Sequence, residues 1–212
     1  MQQLSPFAFN TWIANIGQQV SWQRAYFCPC RDPHSGAARF DCKQCSGSGY
    51  VWNAPKAGNL GISGQKTQQA WASMGRYENG DVVCTLPSDT PLYAMGENDR
   101  IVFGQSSHPF SLATTLEKGL LFQPSQIDRV FWLDDQQNLV EGSLPTANAH
   151  GQLTFDNAPA SAPGQSFSIT GRRRPEYFCF LDYPQDRHHH NGLDLPRRIV
   201  LRNFDLFHRN LP

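Results

Sequence analysis

A chain of 212 residues with 18 basic and 18 acidic side chains has no net charge to draw it toward nucleic acid or an anionic membrane. Its length allows one large or two small domains and a sizeable core that needs no outside support. Charged residues make up only 17%, against about a quarter in an average globular protein, while Gly, Pro, Asn, Gln and Ser are frequent, as in a loop-rich β protein.

No apolar run reaches the ~18 residues of a membrane span. Residues 1–6 lack both a basic start and a long apolar segment, so no signal peptide is expected. The six cysteines are then expected to meet a reducing cytosol, where close pairs favour metal over disulfides.

In chain order, residues 5–17 read as a short helix. Ser5 suits the N-cap, Pro6 the first helical position and Gly17 the stop. Phe9, Trp12, Ile13 and Ile16 fall at i, i+3, i+4 and i+7 and give one apolar face, for docking either on its own domain or on a neighbouring subunit. Residues 58–66 are Gly-rich and polar and read as a connection or exposed loop. From about residue 66 the pattern becomes β. Candidate strands are 82–86, 100–103, 120–122, 127–133, 152–155, 166–170, 177–181 and 198–204, separated by turn signals such as Asn79-Gly80 and Pro163-Gly164. Short strands without long helical patterns between them predict a mainly β fold of antiparallel barrel or sandwich modules, with a short N-terminal helix and an inserted cysteine loop. The expected division is 1–65 (helical arm and cysteine module), 66–126 (small barrel-like module) and 127–212 (sandwich or hairpin module).

Within residues 18–54 lie Cys28-Pro-Cys30 and Cys42-Lys-Gln-Cys45. Two close pairs joined by an eleven-residue loop form two chelating knuckles, the pattern of a structural Zn²⁺ site with four thiolates and no position left for substrate. Ser46-Gly47-Ser48-Gly49 after Cys45 permits the tight turn that aims backbone N–H groups at sulfur, and Pro29 stiffens the first pair. Disulfides and another metal are the alternatives, and His34 is a substitute ligand if one cysteine faces away. Residues 42–49 resemble one C-x-x-C-x-G-x-G unit of the zinc domain of DnaJ-type chaperones. The first pair lacks that spacing and the chain has no His-Pro-Asp tripeptide, so only the local turn carries over.

Other clusters read more plainly. His188, His189 and His190, with Asp194 close by, fit a polar loop, with a second metal as the sharper alternative. Arg172, Arg173 and Arg174 read as a solvated turn. They and Arg197, Arg198 and Arg202 would otherwise pair with carboxylates across subunits or line a channel for DNA. Cys84 and Cys179 sit in apolar strand text and read as buried small hydrophobes. No nucleophile elbow, phosphate loop or H-E-x-x-H appears, and no enzyme is expected.

The stretch 127–204 resembles a recurring type of tailed-bacteriophage virion protein. The resemblance is carried by Ile127-Asp128-Arg129-Val130, Gly151-Gln152-Leu153-Thr154-Phe155, Ala162-Pro163-Gly164-Gln165-Ser166-Phe167, Arg174-Pro175-Glu176-Tyr177 and Leu195-Pro196-Arg197-Arg198-Ile199. Residues 81–103, with Thr90-Pro91-Leu92-Tyr93 and Asp99-Arg100-Ile101, resemble the small β-barrel of head-closure proteins. The resemblance implies a structural, ring-forming neck protein that joins phage head to tail, built in the host bacterial cytoplasm and located in the virion. It implies a homo-oligomeric ring touching other virion proteins (portal, tail terminator, tube or baseplate components) and, non-specifically, the DNA in its lumen, with no membrane contact. A baseplate position is the near alternative. A zinc-ribbon nucleic-acid-binding protein, using Arg24, Arg31, Arg39, Lys43 and Lys56, is the alternative of another class.

Overall fold

The structure, a computed structural model, describes residues 5–120, 122–148, 151–156, 164–182, 189–190 and 192–207, with Gln65, His189 and His190 by backbone alone. Its first element is α1 (Pro6–Ile16), capped by Ser5, whose Oγ accepts the Ala8 N–H, and stopped at Gly17. Then come β1 (Gln18–Gln23), the short pair β2 (Ala25–Phe27) and β3 (Tyr50–Trp52), and β4 (Lys56–Ile62). Next are α2 (Gln65–Ala72), β5 (Val82–Leu86), a 3₁₀ turn at Pro91–Ala94 and β6 (Arg100–Phe103). A second compact unit, residues 106–175, holds β7 (His108–Thr114), β8 (Pro124–Leu133), β9 (Leu139–Glu141), β10 (Thr146–Ala147), β11 (Leu153–Thr154) and β12 (Phe167–Arg173). The chain then returns to the first unit with β13 (Glu176–Asp182), β14 (His189–His190), β15 (Leu193–Asp194), β16 (Arg197–Asn203) and a final 3₁₀ turn, Phe204–Leu206.

The first unit, residues 1–105 with 176–212, contains a closed antiparallel barrel in the order β1-β4-β5-β16-β13-β6, with β6 pairing back to β1. The mainly β, antiparallel architecture read from the turn and strand pattern is therefore what the chain adopts. Each of the segments 1–65, 66–126 and 127–212 supplies barrel strands. Closure leaves no barrel edge open to pair with another chain. Inside lie Val20, Trp22, Leu60, Leu86, Ile101, Phe103, Ile199 and Leu201, together with Cys84 and Cys179. Both cysteines are fully buried, and burial pushes their thiols far up. They act as core atoms, as small buried thiols do.

The Gly-rich run at 58–66 is not an exposed loop. Its first part is β4, a barrel strand whose Leu60 is buried in the core. The glycines are there because neighbours press close. A Cβ on Gly58 would come 2.4 Å from Leu92, and one on Gly61 2.4 Å from Ile13 of α1. Through that contact α1 lies on the barrel, with Ile13 1% exposed and Asn10 exchanging hydrogen bonds with Ser88.

A buried aspartate ties the barrel to the cysteine hairpin. Asp99 accepts from Trp22 Nε1 (2.9 Å) and from the Gly96 and Ala25 N–H groups (2.9 and 2.8 Å). Asn would turn one acceptor into a donor facing N–H groups. Asp99→Asn is therefore expected to lower stability by about 1–3 kcal/mol, read as a shifted denaturation midpoint at unchanged m value.

In the second unit, a four-stranded sheet ordered β7-β12-β8-β9 packs Val130, Phe167 and Ile169 with Leu120 and Leu153 of the β10-β11 region. β8 bulges opposite Gly171, where a Cβ would meet the Gln126 carbonyl at 2.2 Å. The strand expected at 120–122 is absent among the described residues: Leu120 and Phe122 lie in irregular backbone, although Leu120 is a core residue. Among the described residues no helix is long and apolar enough to cross a membrane.

Candidate metal centre

The β2–β3 stem projects the cysteine loop from the barrel wall. Its base is pinned by Asp99 at Ala25, by the Arg24 N–H bond to Asn53 Oδ1 and by Trp52 Nε1 donating to the Asn98 carbonyl. Tyr50 and Trp52 stack edge-on against Phe207, within an aromatic cluster that includes Phe178 and Phe204. The loop beyond has almost no core: none of residues 31–44 is buried.

The four thiols meet at the top of this stem. Their sulfur atoms all lie within 4.8 Å of one another, with Cys28–Cys42 at 3.7 Å and Cys30–Cys45 at 3.5 Å. A tetrahedron of metal–sulfur bonds of about 2.3 Å places its sulfurs about 3.8 Å apart, so the spacing matches a ligand cage. It is well beyond an S–S bond of about 2.05 Å, and all six cysteines are unbridged. The backbone is shaped to the same end. Ser46, Gly47 and Gly49 adopt left-handed φ of 47°, 83° and 74°, a conformation glycine takes without penalty. This turn lets Ser46 N–H reach the Cys42 carbonyl and Ser48 N–H reach that of Cys45. The Cys28 N–H closes the stem on the Gly49 carbonyl at 2.8 Å.

N–H groups point at the sulfurs. Those of Cys45 and Gln44 point at Cys42 and draw its thiol down to about 6. The Arg39 N–H pulls the Cys30 thiol the other way, but burial and the three neighbouring thiols outweigh it and hold Cys30 up at about 12. Cys28 is likewise raised: burial and the Cys42 and Cys45 thiols together overcome the Cys30 N–H. One thiolate comes easily here and four do not, because like charges in one cage repel. A divalent cation removes that repulsion, so the donor set, the spacing and the N–H groups all fit a bound metal ion. The four cysteines together can hold one.

His34 is not among the ligands that converge. It lies in an exposed turn in which Asp32 Oδ1 accepts the His34 and Ser35 N–H groups. His34→Ala is expected to leave metal stoichiometry unchanged, as measured by mass spectrometry of the native protein. His188 falls outside the described residues. Of His189 and His190 only the backbone, pairing β14 with β15, is described.

Four of the six arginines weighed for intersubunit pairs or a channel wall, Arg172, Arg173, Arg197 and Arg202, have partners within the chain. Arg202 is buried against Asp81, with nitrogen–oxygen distances of 3.0 and 2.9 Å, and stacks on Phe180. Arg197 donates to the Tyr93 and Met95 carbonyls and lies 3.3 Å from Asp182. Arg172 bonds Ser107 and Arg173 covers Phe122. Sequence reasoning missed the buried Asp81, since a single acidic residue before a strand carries no partner signal.

No protein-family model matches this chain, and no curated protein matches it in sequence.

Proposed function

We propose that the chain is a structural component of a tailed-phage particle, a ring-forming neck protein joining head to tail, and that the metal at Cys28, Cys30, Cys42 and Cys45 is a structural Zn²⁺. The observation that carries the reading is the pairing of a closed, edge-free barrel with a projecting hairpin whose outer loop is gathered by the thiol cage. That design suits a rigid ring body with a stiff arm to grip a neighbour. The virion-protein resemblance of 81–103 and 127–204 supports it, as does a net charge of zero, which lets surfaces bury against neighbours without long-range repulsion. In this reading the work is mechanical, no residue is catalytic, and DNA in the lumen is touched only electrostatically.

The test is removal of the chain from the phage that encodes it. Separate filled heads and finished tails, with immunogold label at the neck of wild-type particles, are the expected result. Joined particles without the chain overturn the neck reading, and label at the tail tip moves the protein to the baseplate. For the metal, one zinc per chain with six free thiols is expected. No metal and about two free thiols would mean a disulfide staple instead.

One observation favours the nucleic-acid reading: exposed Phe27 beneath the Arg31 guanidinium at 4.3 Å, beside exposed Arg39 and Lys43. Against it, a dication among four thiolates is a net anion that these cations offset. Salt-dependent binding of DNA by the purified chain would favour this second reading.

A further inference from the structure

The apolar face of α1 is only partly used by its own barrel. Ile13 is buried, but Trp12 is 54% and Ile16 57% exposed. Beside them runs a groove of about 390 Å³, lined by Phe9, Trp12, Ile16, Ile62, Thr85 and Arg198. Arg198 is exposed and has no hydrogen-bond or ion-pair partner among the described residues. The groove is therefore mixed, apolar along α1 and Ile62 and polar at Gln18, Ser63 and Thr85, with one cation at its rim. It has room for an aromatic ring, for which an enclosed cavity of about 150 Å³ is enough.

The same chain carries a matching knob. Phe40, at the tip of the cysteine loop, is 91% exposed, the highest value among the large hydrophobics described. It supports nothing in its own loop, and it is not seated in its own chain's groove. Its backbone is nonetheless held. The turn that carries it is closed by the Cys42 N–H on the Arg39 carbonyl at 3.2 Å, the Phe40 carbonyl lies against Gly47, and Cys42 of the thiol cage is two residues on. The side chain is thus presented by a fixed backbone, which lowers the ordering cost of docking. Asp41 follows it, engaged among the described residues only with exposed Arg39 at 3.5 Å, a pair of the kind that contributes little in water.

We propose that Phe40 of one copy seats in the α1 groove of a second copy, with Asp41 pairing to Arg198. Knob and groove are different surfaces of one chain, so the contact is heterologous and repeats from copy to copy. Closure of that repeat into a ring rests on the neck-protein reading; the contact itself does not.

The test is sedimentation of the full-length, metal-loaded chain up to about 1 mM, the weak end of specific association. Wild type is expected to self-associate. Phe40→Ala and Arg198→Asp are each expected to weaken association on the order of 30-fold, with metal content unchanged. Combining Asp41→Arg with Arg198→Asp restores it. A wild-type chain that stays monomeric, single variants that associate like wild type, or a charge swap that does not rescue each overturn the contact. Association insensitive to Phe40, in a chain found at the phage neck, sinks the contact and keeps the ring. Rescue by the swap, in a chain absent from the particle, does the reverse.

Discussion

Cys42→Ser, or chelation of the metal, is expected to release the ion and open residues 31–44 to trypsin while the barrel stays folded. Within that stretch no residue is buried, so it is held by the thiol cage, the turn hydrogen bonds and the Arg31 guanidinium over Phe27 and Tyr50. Structural zinc sites of this kind contribute roughly 10–16 kcal/mol of apparent binding energy at neutral pH, far more than those turn bonds at about 1 kcal/mol each. Without the ion, crowded thiols reprotonate and the loop pays no penalty for opening. Cleavage is expected after Arg31, Arg39 and Lys43, which lie on the loop. It should stop at the stem, where Tyr50 and Trp52 are packed with Phe207 and Ala25 is bonded to Asp99. The main thermal transition should persist, because the barrel core does not include the loop. Limited proteolysis with mass spectrometry decides the matter: a loop as resistant after metal loss as before it would show that the cage is not its staple. The same treatment should weaken particle assembly if the hairpin grips a neighbour.

Asp81→Ala is expected to cost about 3–5 kcal/mol, because it leaves the Arg202 guanidinium buried without its counter-charge. The Arg202 side chain is 4% exposed and that of Asp81 0%. Asp81 also accepts from Trp71 Nε1 and from the Glu78 N–H, both at 3.1 Å. Trp71 lies on α2 and covers Val83 and Val200 on the outer barrel wall. The aspartate therefore couples the helix, the turn before β5 and the last strand, and losing it should lower the melting temperature by roughly 10 °C for a chain of this size. The paired change Asp81→Asn with Arg202→Met should recover part of the loss, since it removes both charges, keeps the volume at 81 and leaves an amide oxygen to accept from Trp71 Nε1 and the Glu78 N–H. A single-variant loss under about 1 kcal/mol would mean that water or another group already satisfies Arg202.

Legibility from sequence followed the range of the interaction. The helix at Pro6–Ile16 was readable because Ser5 and Gly17 cap it locally and the apolar positions repeat at helical spacing. The strands Val82–Leu86 and Arg100–Phe103 were readable from dense apolar residues between turns. The cysteine cage was readable because chelation requires close ligand pairs, and two pairs are spaced to fold onto one point. β1, with its polar Gln18-Gln19 start, and β4, with its two glycines, were not readable as strands. Each holds its place through partners distant in sequence: β1 pairs with β4 and β6, and β4 opens space for Leu92 and Ile13. Likewise, α2 is a short polar helix whose reason to exist is Trp71 over the barrel wall.

Composition, turn residues and cysteine spacing thus determine the mainly β character, the capped first helix and the candidate ligand set, because these depend on neighbours within a few residues. Which strands close the barrel depends on long-range pairing and packing. The chain leaves after β6, builds a second unit and returns at β13 beside the strand it left. The same packing turns Arg202 from a candidate surface charge into a buried structural one and leaves Trp12 and Ile16 uncovered. Burial is a property of the folded surface, and no local pattern of residues encodes it.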